Sequence, residues 1–308
     1  MEGSLNIQKD KIGQVSENSM THWEERKGNF VSMDLGISSY TYAWAIGIAG
    51  HIPNKAMNAF ELMEKAVRLG VNRVQIADNL PLHGHTSSEL KAIKNFALEN
   101  GLSIEVGMRG MTPRNLETYL ELAVFFNSPF LRAVIDVEGF EPEIDQIIGI
   151  VNEALPKFKN AGLVLAMENH DRFKARSFVE IIENTDKKWV GICLDTINSL
   201  GADQSIGEVL KELAPYTVNF HVKDYKIRRK PHKLGFDVLG APAGLGMMPI
   251  DIIFQELAKH NRCQSAILEL WTPPEPNIKA TVAKEEQWAI QSISFLKNLF
   301  KDKEVWTR

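Results

Sequence analysis

Four short apolar runs decide how this chain of 308 residues is read: LVLAMENH at residues 163–170, WVGICLD at 189–195, TVNFH at 217–221 and SAILE at 265–269. Each is rich in Val, Ile and Leu and lies between stretches of helical pattern, which marks a buried parallel strand. Each also reaches a residue type that binds metals: Glu168, Asp195, His221 and Glu269. Four consecutive strands would then deliver two Glu, one Asp and one His to one edge of a sheet.

Working outward, the same unit recurs at intervals of roughly thirty residues: a short apolar strand, a polar loop, an amphipathic helix. Strands are predicted to begin near Asp34, Asn72, Ser103, Phe130, Leu163, Trp189, Thr217 and Ser265, eight in all. Ala56, Phe60, Met63 and Val67 form one apolar helical stripe, and Leu116, Leu120 and Ala123 form another. Thr86 with Glu89 reads as a capping box, and Thr112 before Pro113 as an N-cap followed by proline at the first helical position. Eight β/α units with no interdomain linker predict an α/β fold, a closed (β/α)8 TIM barrel over residues 33–308, of the size usual for such barrels. Residues 1–32, polar and without hydrophobic period, are expected to be a flexible extension. A doubly wound open sheet is disfavoured because no strand is followed by G-x-G-x-x-G. The glycine-rich GAPAGLG at 240–246 follows a long basic loop and reads as a mobile loop instead of a phosphate cradle.

Composition sets outer bounds. A net charge of −4 gives no global field for nucleic acid or an anionic membrane. The two cysteines, Cys193 and Cys263, each fall in or beside a predicted strand and read as buried thiols of a reducing compartment. No apolar run approaches the roughly 18 residues that span a bilayer. A cytoplasmic protein is the expectation.

In a barrel, the C-terminal strand ends share one mouth, and neighbouring strands lie about 4.8 Å apart. Glu168, Asp195, His221 and Glu269 can therefore converge on one ion. Taken singly, a Glu at a strand end is usually a solvated or capping residue, and a His after an apolar run is usually a hydrogen-bonded core residue. Four in succession at one level read differently, because three unpaired carboxylates in one mouth repel each other without a cation. Three carboxylates and one imidazole suit Mn2+, Mg2+ or Co2+; Zn2+ is less favoured without thiolates.

At this point MENH, CLDTIN, FHVKD and LELW together resemble the xylose-isomerase-like barrel proteins, a family that includes sugar 3-epimerases, inosose dehydratases and sugar phosphate isomerase/epimerases. The resemblance runs over roughly residues 34 to 300 and implies a divalent metal held by Glu168, Asp195, His221 and Glu269. Sugar epimerases of this group often carry His three residues after the strand-six Asp; this chain has Asn198. The expected chemistry is isomerisation or epimerisation of a sugar, sugar acid or sugar phosphate. A metal-chelated carbonyl would stabilise an enediolate, with Glu168 and Glu269 exchanging the proton from opposite sides. The same intermediate serves a lyase, by dehydration or by keto-acid decarboxylation.

Expected substrate contacts are Asn169 and His170 after strand five, Asn198 after strand six, Lys223 after strand seven, Arg109 at the end of strand three and His83 after strand two. Trp44 and Trp271, just beyond strands one and eight, are candidates to stack on a sugar. The one strong charge run, KDYKIRRKPHK at 223–233, reads either as a solvated loop or, through Arg228 and Arg229, as an anion site over the mouth. An apurinic-site nuclease, which the superfamily allows, would need a basic face that this acidic chain lacks. The expected partner is a small carbohydrate, with no nucleic acid and no membrane. The C-terminal helix around Trp288, Ile293, Leu296 and Phe300 is apolar enough to cover the barrel or a second copy in a homo-oligomer.

Overall fold

Val, Ile, Leu and Ala crowd the strand positions, and the strands they form are buried on both faces, as a parallel sheet under helices requires. The computed structural model describes residues 33–170 and 172–301; the expected extension, residues 1–32, lies outside the described residues. Eight strands close a parallel barrel: β1 (Asp34–Ser38), β2 (Arg73–Ile76), β3 (Ser103–Arg109), β4 (Phe130–Val134), β5 (Val164–Glu168), β6 (Val190–Asp195), β7 (Thr217–Val222) and β10 (Ser265–Leu268). Closure comes from β1 pairing with β2 on one side and β10 on the other. The predicted barrel is therefore the observed fold, and every strand starts within one residue of its expected position.

The helices around the barrel are α1 (Ala43–Ile46), α2 (Ala59–Leu69), α3 (Ser87–Glu99), α4 (Pro113–Phe126), α5 (Ile144–Ala161), α6 (Ala175–Glu183), α7 (Ile206–Leu213), α8 (Ile250–His260) and α9 (Ile278–Lys301). Thr86 caps α3 through a capping box with Glu89, and Thr112 caps α4 ahead of Pro113. The α2 stripe differs from expectation. Asn58 caps this helix, so Ala56 lies before it, Val67 is exposed, and the buried face is Ala59, Leu62, Met63 and Ala66. The cap decides: Asn58 accepts from the Glu61 backbone N–H and starts the helix at Ala59, three residues later than the periodicity implies. In α9, Ile293 and Leu296 are buried and Phe300 packs edge-on against Phe254 of α8, so this helix covers the barrel. Among the described residues no helix is long and apolar enough to cross a membrane.

The expected basic loop is a β-hairpin. Residues 224–229 form β8 (Asp224–Arg229), which pairs antiparallel with β9 (Phe236–Ala241) and places Ile227 opposite Val238. GAPAGLG is anchored, contrary to the mobile-loop reading: Gly240 and Ala241 end β9, and the Asp224 carboxylate accepts the backbone N–H groups of Gly244, Gly246 and Met248. A buried carboxylate that takes three amides fixes the turn that follows the hairpin.

Candidate metal centre and active-site cavity

The register brings the four predicted ligands to one level. Asp195 pairs with His221 across β6 and β7. Glu168 ends β5, and Glu269 follows β10, its backbone N–H bonded to the Val222 carbonyl. His221 Nδ1 lies 3.4 Å from Glu168 Oε2, 3.5 Å from Glu269 Oε1 and 4.0 Å from Asp195 Oδ2. All four side chains are buried, yet His221 Nδ1 has no hydrogen-bond partner. An orphaned imidazole nitrogen ringed by three carboxylate oxygens is a strong misfit for a core and a good fit for a hard divalent cation. The residues present therefore fit the metal that the strand ends implied. Cys193 also approaches His221, but at Nε2 (3.1 Å), on the other edge of the ring. Burial pushes its thiol well up.

Cations hold the carboxylates. Arg132, buried inside β4, donates through Nε to Glu168 Oε2 (2.6 Å) and through Nη1 to Asp78 Oδ1 (3.0 Å). Gly107 makes room for it: a Cβ there would meet Arg132 Cδ at 3.2 Å. Lys223 Nζ bridges Asp195 Oδ2 (2.5 Å) and Glu269 Oε2 (2.9 Å). Burial alone would raise Glu168, but the guanidinium of Arg132 beside it outweighs this and holds the carboxyl below its usual range. For Glu269 burial is likewise outweighed by the cations Lys223 and Arg132. Burial would lower Lys223, whereas its carboxylate neighbours keep it protonated.

Above the ligands opens a cavity of about 500 Å³. Tyr40, Arg109, Arg132, Glu168 and His170 line the arc from β1 to β5; Ile197, Leu200, Val238, Leu270 and Trp271 line the arc that follows β6, β9 and β10. The first arc is polar and cationic; the second sets these apolar side chains beside Asn198, Lys223 and Glu269.

Of the expected substrate contacts, Arg109, His170, Asn198, Lys223 and Trp271 line this cavity. Asn198 donates through Nδ2 to Glu168 Oε1 (3.1 Å) and so holds that carboxylate in place. The other five lie elsewhere. Asn169 turns into the wall and clamps β5 to β6, accepting from Asp195 N (2.8 Å) and donating to the Asp195 carbonyl and Ser199 Oγ. Trp44 is tied through its indole N–H to the Thr272 carbonyl and through its backbone to Glu285 of α9, which makes it a loop anchor. His83 is exposed and meets the Tyr119 hydroxyl through Nδ1 (2.6 Å). Arg228 and Arg229 project from β8 into solvent, with Arg229 stacked on Phe236. Pairing puts Arg228 on the face opposite Val238, which reaches the cavity, whereas Arg229 shares the face of Val238 but sits at the exposed turn end of the hairpin against Phe236.

Among the participants that went unpredicted are Tyr40, Asp78, Gln75 and Arg132 in FLRAV. Arg132 and Gln75 share a signal, a charged or amide side chain inside an apolar strand run, which a barrel interior must satisfy internally.

A closed eight-stranded barrel with this centre at its mouth defines the class. The family model for xylose isomerase-like TIM barrels matches residues 63–299, and the chain belongs to that family. Among curated proteins it is 26% identical over 264 residues to a 3-oxo-isoapionate decarboxylase of Pectobacterium atrosepticum, covering 86% of this chain and 95% of the relative. Among solved structures it resembles a D-psicose 3-epimerase from Clostridium cellulolyticum with D-tagatose (15% identity, TM-score 0.67, covering 87% of this chain and 99% of the other). It also resembles a xylose isomerase-like barrel protein from Mycobacterium smegmatis in complex with magnesium (16% identity, TM-score 0.62, covering 86% and 97%).

Proposed function

We propose that this chain is a divalent-metal-dependent lyase that decarboxylates a small 3-oxo sugar acid. The observation that carries the reading is the pinning of Glu168 by Arg132 and of Glu269 by Lys223. Epimerisation asks these two groups to take and return a proton at carbon, and carboxylates held low are weak bases for that work. Decarboxylation asks for no C–H base. It asks for positive charge around a carbonyl and a grip on a carboxylate. The match to the 3-oxo-isoapionate decarboxylase over nearly its whole length supports the same choice.

Glu168, Asp195, His221 and Glu269 would hold a dication, which would supply Lewis acidity beside the carbonyl next to the scissile bond. The surrounding charges favour an anion once it is present. Three cations, Arg109, Arg132 and Lys223, face four carboxylates, Asp78, Glu168, Asp195 and Glu269, so a dication turns one formal negative charge into one positive. Arg109 donates through Nε to Asp78 (2.9 Å), and no acceptor among the described residues takes its terminal nitrogens. That free edge fits a substrate carboxylate in a bidentate contact and fixes the scissile bond's orientation. The bond to the carboxylate breaks, its electron pair passes toward the carbonyl, and CO2 leaves. Lys223 lends positive charge where the oxygen becomes negative, and His170 gives the carbon its proton. Leu200, Val238, Leu270 and Trp271 give the substrate apolar surface on the facing wall.

A second reading, sugar isomerase or epimerase, draws on one observation: Glu168 and Glu269 flank His221 Nδ1 at nearly equal distances, as a two-carboxylate proton exchange requires. One experiment separates them. With Mn2+ or Mg2+ in D2O, the lyase is expected to release CO2 from 3-oxo sugar acids and leave one deuterium on the carbon that carried it, and Arg109→Met is expected to raise KM about tenfold. Exchange and inversion on ketoses, with no CO2 from any 3-oxo acid, would overturn the lyase in favour of the epimerase.

A further inference from the structure

We infer that Gln75, in the barrel interior beneath the carboxylates, is a positioning residue that holds His221 in its metal-binding tautomer. The inference rests on the four-residue metal centre and is independent of which substrate the cavity takes.

The geometry begins at a backbone carbonyl. Asn219 donates through Nδ2 to Ser265 Oγ (2.8 Å) and to the Ser265 carbonyl (3.4 Å), which accepts only. Asn219 Oδ1 therefore faces the other way and accepts from Gln75 Nε2 (3.1 Å) and from the Cys193 thiol (3.0 Å). The other N–H of Gln75 Nε2 has its own acceptor, Glu105 Oε2 (3.2 Å). With both amide hydrogens so engaged, Gln75 Oε1 is turned to His221 Nε2 at 2.8 Å. An amide oxygen can only accept, so Nε2 carries a proton and in the neutral ring Nδ1 keeps its lone pair.

That lone pair is the one aimed among Glu168, Asp195 and Glu269. The opposite tautomer would turn an N–H toward carboxylate oxygens 3.4 and 3.5 Å away, an arrangement that competes with a cation for the same space. Gln75, Glu105, Asn219 and His221 are all fully buried, so water does not replace a missing partner. Such outer contacts to a ligating His are worth about 10–100-fold in metal affinity.

The test uses full-length protein labelled with 15N-histidine, stripped of metal, and Mn2+ alone as probe. Two-bond 1H–15N correlation is expected to find His221 as the Nε2–H form in the wild type. In Gln75→Met, which keeps the length and loses the acceptor, an Nδ1–H form is expected, with Mn2+ affinity lower by about 10–100-fold in a chelator competition. Gln75→Glu restores an acceptor oxygen and is expected to return the Nε2–H form. A Gln75→Met protein with His221 still Nε2–H and Mn2+ bound as in the wild type would overturn the inference. If Gln75→Met does not fold, Gln75→Glu decides alone, and an Nδ1–H ring there overturns it. A wild type that binds no Mn2+ sinks the metal centre itself, whereas wild-type binding with an indifferent Gln75→Met sinks only the role of Gln75.

Discussion

Glu105 lies in the barrel interior with Oε1 unpartnered and Oε2 bonded to Gln75. Burial is the largest influence on it and, against the pull of Ser265 and Arg73, pushes its carboxyl up from 4.5 to about 7. Between those values the folded state binds a proton that the unfolded chain has released, so stability falls as pH rises through that window and is fully present only below it. The raised value corresponds to about 3 kcal/mol in all. Glu105→Gln should abolish this slope: by urea unfolding, the stability of the wild type relative to the variant should drop by about that amount from pH 4.5 to 7.5. A difference independent of pH would mean that Glu105 does not titrate in this window. Single residues also mark where sequence reading stops. Asn169 and His170 are adjacent and both follow the end of β5, yet one clamps two strands and the other lines the cavity, because successive side chains of an extended chain point apart.

At the scale of elements, the hairpin of β8 and β9 is the main departure from expectation. Its strands carry exposed Ile227, Phe236 and Val238 among basic residues, a mixture that charge content alone reads as loop. Antiparallel pairing sorts it: Tyr225, Ile227, Arg229, Phe236 and Val238 share one face, and Lys226, Arg228 and Asp237 the other. Gly240 seats the hairpin on the segment after β10, since a Cβ there would stand 1.9 Å from the Trp271 carbonyl oxygen. Gly240→Ala is expected to displace the hairpin and with it Val238 and Trp271 of the cavity wall. A loss of about 100-fold in kcat/KM with an unchanged circular dichroism spectrum is the expected result. Full activity would show that the hairpin does not shape the site. By contrast, the capping box of α3 and the Thr112 N-cap of α4 were legible from sequence because a cap is made within four residues.

For the whole molecule, metal and fold are linked. A ligand that binds only the native state at 100 times its Kd stabilises it by about 2.7 kcal/mol. In a domain of this size, removal of the ion by a chelator should lower Tm on the order of 5–10 °C, and excess Mn2+ should restore it. Calorimetry in both states checks this, and an indifferent Tm would mean that Glu168, Asp195, His221 and Glu269 hold no ion.

The barrel and its four strand-end residues were readable in the chain itself, because strand periodicity and the residue that stops each run are local properties that closure only assembles. What surrounds them was decided by the tertiary structure alone. Arg132 meets Glu168 across 36 residues and Asp78 across 54, and Gln75 meets His221 across 146. A polar residue within a strand run has no assigned partner until the sheet closes and turns its side chain inward, where burial obliges every donor to find an acceptor.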